Sequence, residues 1–299
     1  MDPEIKLFTG GTNLKKATIA FIGGSGLYDI EGAKLIEQLD IDTPWGKPSD
    51  KIDIVDIDGA TAAFLPRHGR GHIHAPHQLN FQANIAALKM IGVEQIIAFS
   101  AVGSLKEEIP PLDFVLPSQI IDRTKARVTT FFENGITAHV GFADPFCSRL
   151  HDIILPAAKD LGLKIHTGET LIVMEGPAFS TRAESNLYRS WGAGVINMST
   201  IPEAKLAREA EMCYAVICMS TDYDCWHESE EDVTIDMVIK NMNTNSANAK
   251  ELVRRLAGKL KSERSCGCKE ASKFAVITAP EKRNPDQAKK LKAILPDYF

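Results

Sequence analysis

Ala17-Thr18-Ile19-Ala20-Phe21-Ile22-Gly23-Gly24-Ser25-Gly26 reads as a short apolar strand that stops in a glycine-rich turn. The run Ala17–Ile22 is too short for a helix and does not alternate with polar residues, the pattern of a strand covered on both faces. The same motif recurs down the chain. Gln95–Phe99 leads into Ser100-Ala101-Val102-Gly103-Ser104, Thr170–Met174 into Glu175-Gly176-Pro177, and Thr61–Leu65 into Arg67-His68-Gly69-Arg70; Gly194–Met198 and Tyr214–Met219 are two further runs. Helical patterns fall between them: His77–Ile91 with Gly92 as stop, Pro145–Leu161 with Gly162 as stop, and Pro202–Met212 with Thr200 as cap and Pro202 in its first turn. Thr234–Lys261 holds one or two more helices. Strands alternating with helices predict an α/β fold. No linker or repeat divides the chain, so one domain is expected over 17–261, preceded by an extension at 1–16 and followed by a charged, partly ordered tail at 262–299.

Composition narrows the function. The chain has 299 residues, 44% hydrophobic and 24% charged, with a net charge of −5. These are globular values, and the acidic balance argues against a protein that holds nucleic acid on a basic face. No apolar run approaches the roughly 18 residues of a membrane span. The first residues lack a charged-then-apolar leader, so a cytoplasmic protein with no membrane partner is expected. Six Cys are present without a CxxC pair, which reads against a structural zinc site; Cys266-Gly267-Cys268 is the one close pair, with the makings of a strained redox bond.

Small, hydroxylated or acidic residues collect after the strands: Ser25, Ser100, Glu175, Ser199 and Asp222. In open α/β sheets the ligand crevice lies at the carboxyl ends of strands, so these residues propose one pocket. Gly23-Gly24-Ser25-Gly26 suits close backbone approach to an anion, but is neither a dinucleotide fingerprint nor a P-loop. Arg67 and His68 offer a planar fork and a second donor for phosphate. His72, His74 and His77 in the same loop raise the question of a metal, but no Asp, Glu or Cys lies among them, and no metal ligand is assigned. Asp222 and Asp224 stand at i and i+2 after a buried strand, where two carboxylates in one pocket push one pKa up. Thr181 and Glu184 form a capping-box pattern, and Phe179 before them reads as core or as a stacking face.

Taken together these segments resemble the trimeric purine nucleoside phosphorylase family, in its methylthioadenosine-cleaving branch. The resemblance is carried by Ile22-Gly23-Gly24-Ser25-Gly26-Leu27, Asp42-Thr43-Pro44-Trp45-Gly46, Arg67-His68-Gly69-Arg70, Asn80-Phe81-Gln82-Ala83-Asn84, Ser100-Ala101-Val102-Gly103-Ser104-Leu105, Glu175-Gly176-Pro177-Ala178-Phe179-Ser180, Asn197-Met198-Ser199-Thr200-Ile201-Pro202-Glu203 and Thr221-Asp222-Tyr223-Asp224-Cys225-Trp226. It implies a nucleoside phosphorylase-like α/β subunit whose mixed, twisted sheet is partly closed into a barrel and flanked by helices. It implies phosphorolysis of methylthioadenosine in purine and methionine salvage, with phosphate as co-substrate and no cofactor. Ser25, Arg67, His68, Ser100, Ala101 and Ser199 would hold phosphate. Phe179 and Met198 would face base and ribose, and Asp222 and Asp224 the purine edge, with Asp222 as general acid. Ser180 and Ile235 match positions that tune specificity, and Val238 would line the methylthio pocket. Ala138–Phe146 matches a loop inserted into the next subunit, with His139 bordering the 5′ end; a homotrimer, or a hexamer of two trimers, is implied. The Cys266-Gly267-Cys268 pair is similar to that of disulfide-bearing members from thermophilic archaea. Two alternatives stay open: a broader purine nucleoside phosphorylase acting on 6-oxopurines, and a catalytically silent nucleoside-binding protein.

Overall fold

The computed structural model describes residues 6–7, 16–24, 32–227, 235–260 and 263–299, without the side chains of 6–7 and 235–238. A two-residue strand β1 (Lys6–Leu7) edges a mixed sheet of eleven longer or more central strands. These are β2 (Ile19–Gly23), β3 (Lys34–Ile41), β4 (Ile52–Ile57), β5 (Ala60–Pro66), β6 (Gln95–Ser104), β7 (Phe114–Leu116), β8 (Gln119–Arg123), β9 (Ile165–Thr167), β10 (Thr170–Met174), β11 (Val195–Asn197) and β12 (Cys213–Asp222).

The apolar runs become the central strands. Every residue of β2 and of β12 is buried. Their side chains alternate between two cores, as the period of a strand requires. Ala20, Ile22, Ile96, Ala98, Tyr214 and Val216 point into one, and Ile19, Phe21, Ile97, Phe99, Ala215 and Ile217 into the other. The first core is covered by α1 (Phe81–Met90) and α4 (Thr200–Glu209) through Ile85, Leu88 and Leu206. The second is covered by α2 (Ser148–Asp160) and α5 (Ile235–Ala257) through Leu150, Ile154, Leu252 and Leu256. α3 (Arg182–Ser190) packs Tyr188 into a smaller cluster with Leu105, Ile172 and Ile196.

β6 is where the sheet divides. Its first half pairs in parallel with β2, from Ile19↔Gln95 to Ile22↔Ala98. Its end pairs antiparallel with β11, Ile196↔Gly103 and Val195↔Ser104. Its other edge runs in parallel with β12 along the whole length. Between Ala98 and Gly103, β2 and β11 have parted, and a crevice opens there at the strand ends. Among the described residues the expected partial closure into a barrel does not extend to the hydrogen bonds: the ladder runs β1-β3-β4-β5-β2-β6-β11-β10-β8, with β12, β7 and β9 branching from β6, and does not return to its start.

Several expectations are corrected. The helix expected over Pro145–Leu161 starts at Ser148, with Cys147 in the capping position. The segment His77–Ile91 is a short 3-10 turn, Pro76–Gln78, followed by α1, whose cap Asn80 accepts from the Ala83 N–H. Of the one or two helices expected within Thr234–Lys261, the described residues form one, α5. Ile201 is extended (φ −107°, ψ 132°), so regular helix begins at Pro202. The tail is more ordered than expected. Residues 263–299 include α6 (Pro285–Leu291), and Leu291, Ile294 and Leu295 are buried in the first core. Its Ser272 N–H and the Tyr298 hydroxyl both donate to Glu211. No described helix is long and apolar enough to cross a membrane.

Candidate active site

The strand ends converge on a cavity of about 340 Å³ at the fork of β6. Its floor is polar and carries arginine. Arg67 follows β5, and its backbone N–H donates to Gly23 O at the end of β2. The side chain is only 2% exposed. Nε and Nη2 donate to the two carboxylate oxygens of Glu203 at 2.9 and 3.0 Å, and Nη1 donates to Phe99 O at 2.9 Å. Glu203 is fully buried on α4 and also accepts from the Tyr214 hydroxyl at 2.7 Å. A bidentate fork of this kind fixes the guanidinium plane, and one edge lines the cavity.

Two hydroxyls stand beside it. Ser100 from β6 and Ser199 from the start of α4 have their Oγ atoms 3.1 Å apart. Asn197 holds both: its Nδ2 donates to Ser100 Oγ at 3.0 Å and to Thr200 Oγ1 at 2.8 Å, and its Oδ1 accepts from the Ser199 backbone N–H at 3.4 Å. His68 completes this end. Its Nδ1 lies 2.9 Å from the His74 carbonyl, which can only accept, so Nδ1 carries the proton. Burial, then the neighbouring Arg67 charge, lowers its pKa to about 4. The ring is therefore neutral near pH 7, and Nε2 offers a lone pair. The sequence reading expected a second donor here; in its neutral form Nε2 can instead accept a hydrogen bond from a P–OH group. His72 stacks on it with centroids 4.3 Å apart.

The opposite end carries the carboxylates. β12 ends at Asp222, and the chain turns at Asp224, whose φ of 53° is in the left-handed region that Asp tolerates. That turn brings the Asp224 N–H to 2.8 Å from Asp222 Oδ1, while Thr221 Oγ1 donates to Oδ2 at 2.7 Å. Ser185 from α3 donates to Asp224 Oδ2 at 2.6 Å. Burial raises the Asp224 pKa, and the Asp222 charge adds to the rise against the Ser185 hydrogen bond. The pair thus has a raised carboxyl at Asp224, and both Asp222 oxygens accept hydrogen bonds. Gly103 makes room for the pair: a Cβ there would lie 3.1 Å from Asp222 Oδ1 and 3.2 Å from Asp224 Cβ. Gly176, at φ 68°, lets Met198 in; a Cβ would lie 2.6 Å from the Met198 sulfur.

Between the two ends the lining is apolar, with Phe99, Met174, Phe179, Ile196, Met198 and Met219. Phe179 is 68% exposed, so it is a face at the mouth rather than core. Arg67, His68, Ser100, Ala101, Phe179, Met198, Ser199, Asp222 and Asp224 all line the one cavity. Ser180 does not: its hydroxyl turns to the Met174 sulfur at 3.5 Å. His139 is exposed and outside this cavity, with its backbone N–H held by Ala275 O. Ser25 lies outside the described residues, as do the side chains of Ile235 and Val238; Gly24, next to Ser25, is in the lining. Sequence reasoning missed Asn197, His72 and Glu203 as members of the site. Glu203 had one signal, an acidic residue within an otherwise apolar helix face.

Comparison with known proteins agrees with this geometry. The family model described as the phosphorylase superfamily matches residues 18–257. The chain is similar to S-methyl-5'-thioadenosine phosphorylase of Geobacter sulfurreducens, 50% identical over 281 residues, covering 94% of this chain and 98% of that one. It is similar to the protein of the same name from Emericella nidulans, 52% identical over 295 residues and covering 94% and 83%. Among solved structures, a methylthioadenosine phosphorylase from an antarctic soil metagenomic library superposes with a TM-score of 0.90 at 43% identity, covering 95% and 100%. Methylthioadenosine phosphorylase from Schistosoma mansoni in complex with adenine gives 0.81 at 32% identity, covering 90% and 99%.

Proposed function

The chain belongs to the phosphorylase superfamily, and from that premise we propose that it cleaves methylthioadenosine with phosphate, yielding adenine and methylthioribose-1-phosphate. One observation carries the reading: a single cavity holds an anion-binding end and a carboxylate pair, separated by an apolar middle. Its volume of about 340 Å³ is within the range of small-molecule sites.

The chemistry follows from charge. As the C1′–N9 bond lengthens, the sugar becomes positive, like the oxocarbenium ion of glycoside hydrolysis. Phosphate held by Arg67, Ser100, the Ala101 backbone and Ser199 stabilises that charge, and one of its oxygens forms the new bond to C1′. His68 Nε2 accepts a hydrogen bond from the P–OH group where phosphate carries one. Ser25 belongs with this group by its resemblance. The leaving adenine accepts a proton at N7, which we assign to Asp222. Asp224, the carboxyl with the raised pKa, supplies that proton to the pair or receives the amine N–H. Met198 and Phe179 hold base and ribose; Ile235 and Val238, in the first turn of α5, are assigned to the 5′ side. Ser180 acts on specificity only indirectly, through Met174.

A carboxylate accepts from the 6-amino group but repels a 6-oxo lone pair. A site built to pair a polar group rejects the analogue without it by about 10⁴ or more. kcat/KM for methylthioadenosine should exceed that for inosine by about that factor. Equal values would support the broader phosphorylase instead.

We further infer a cyclic oligomer, a trimer or two trimers, in which His139 reaches a neighbour's cavity. Its exposure outside its own cavity supports this, and closed cyclic symmetry is common. Inactive His139→Ala and Asp222→Ala variants should partly restore activity when dissociated and reassembled together, because some cavities then draw an intact loop and an intact acid from different chains. Full activity in a demonstrated monomer would refute the shared site.

A further inference from the structure

Far from the cavity, four of the six cysteines meet. Cys147, Cys213, Cys266 and Cys268 have all their sulfur atoms within 4.8 Å of one another, and the Cys213 and Cys266 sulfurs are 3.3 Å apart. All four are free thiols. They come from three separate parts of the fold. Cys147 caps α2, Cys213 opens β12, and Cys266 and Cys268 bracket Gly267 at the 3-10 turn Gly267–Glu270. The geometry points to a tetrathiolate site for a thiophilic, tetrahedral divalent cation of the zinc class, ligated by Cys147, Cys213, Cys266 and Cys268.

The dimensions fit. With Zn–S bonds of about 2.3 Å, the sulfur–sulfur edges of a tetrahedron are about 3.8 Å. A cluster already within 4.8 Å on every edge needs only small rotations to reach that shape. Structural zinc sites are closed, with four protein ligands and no open position. Here Cys147, Cys213 and Cys268 are buried, and only Cys266 is partly exposed, which leaves one path for the metal. The missing CxxC spacing argued against zinc from sequence. Here the close Cys266–Cys268 pair is joined by two distant cysteines that the sheet and α2 deliver.

Binding is balanced without an oxidant. Each thiol gives its proton to solvent, each sulfur forms one bond to the metal, and the metal stays divalent. Two arginines flank the ligands in sequence, Arg149 two residues after Cys147 and Arg264 two before Cys266. Cys147 sits at the N-terminus of a 13-residue helix, where the dipole favours a thiolate. Arg149 donates to Gln95, the register partner of Cys213, and to the Glu263 carbonyl. Arg264 reaches Glu94 and the Glu211 carbonyl on the same corner. The site's role is structural: it ties the start of the C-terminal segment to β12 and α2.

The test uses the full chain, purified under reducing, oxygen-free conditions with zinc supplied, then freed of loose metal by gel filtration. Elemental analysis should give about one zinc per chain. Replacement by Co²⁺ should give the visible bands of a sulfur-ligated tetrahedral ion. The Cys266→Ser/Cys268→Ser variant, checked for fold by circular dichroism, should hold no zinc. Metal-free wild type with six reduced thiols would overturn the site. Bridged cysteines in that reducing buffer, or stoichiometric zinc that survives the double substitution, would overturn it equally.

Discussion

Asp222→Ala should lower kcat on methylthioadenosine by about 10² to 10⁴, the usual contribution of a positioned acid, with a much smaller change in the KM for phosphate. The two effects separate because Arg67 meets β6 at Phe99 while Asp222 pairs with it at Gly103, four residues further along the same cavity wall. Asp224→Asn should act differently. It keeps the shape and one acceptor for the Ser185 hydroxyl, but removes the titrating group. In the wild type, the Asp224 carboxyl holds its proton to higher pH than an ordinary Asp, because burial and the Asp222 charge disfavour ionisation. The proton that serves the leaving base is therefore present at low pH and lost as pH rises through that raised pKa. kcat should fall on the alkaline side, and Asp224→Asn should remove that limb. Wild-type turnover in Asp222→Ala, at matched stability, would end the assignment.

The second large effect is at Arg67. Arg67→Ala should cost about 3–5 kcal/mol of stability, because it leaves Glu203 buried and unpaired. A loss of activity there would report folding as much as phosphate binding. Arg67→Lys is the informative variant. It keeps the charge, loses the planar fork, and should raise the KM for phosphate well above any change in the KM for nucleoside. Tyr214→Phe removes one hydrogen bond to Glu203 and should cost only about 0.5–1.5 kcal/mol. An unchanged phosphate KM in folded Arg67→Lys would show that Arg67 is structural and does not touch the anion.

The legible parts of the fold were those where one local signal dominated. Thr170–Met174 matches β10 residue for residue, because glycines and a proline bracket a run that is apolar after its first residue. The Thr181–Glu184 capping box is present as read, with both reciprocal hydrogen bonds. β3 escaped because it lies near the edge of the sheet, flanked outward only by the two-residue β1, with half of its residues exposed, and its Glu37 and Asp40 break the strand pattern. The tail escaped because its buried residues, Leu291, Ile294 and Leu295, are few and lie among lysines. In the cavity, the side chains that face the lumen were readable from strand ends and resemblance. Their supports were not. Glu203 under Arg67, Asn197 between the two serines and the neutral state of His68 all depend on contacts between distant segments. The thiol cluster is the extreme case, since no local spacing joins Cys147 and Cys213 to Cys266 and Cys268.

The central claim is that phosphate, not water, takes the sugar from the base. The direct measurement is adenine release from methylthioadenosine with and without phosphate, together with the phosphorus NMR spectrum of the products. The expected result is adenine release that requires phosphate, with one sugar-1-phosphate formed for each adenine. Equal adenine release in phosphate-free buffer, with free methylthioribose as the product, would contradict it.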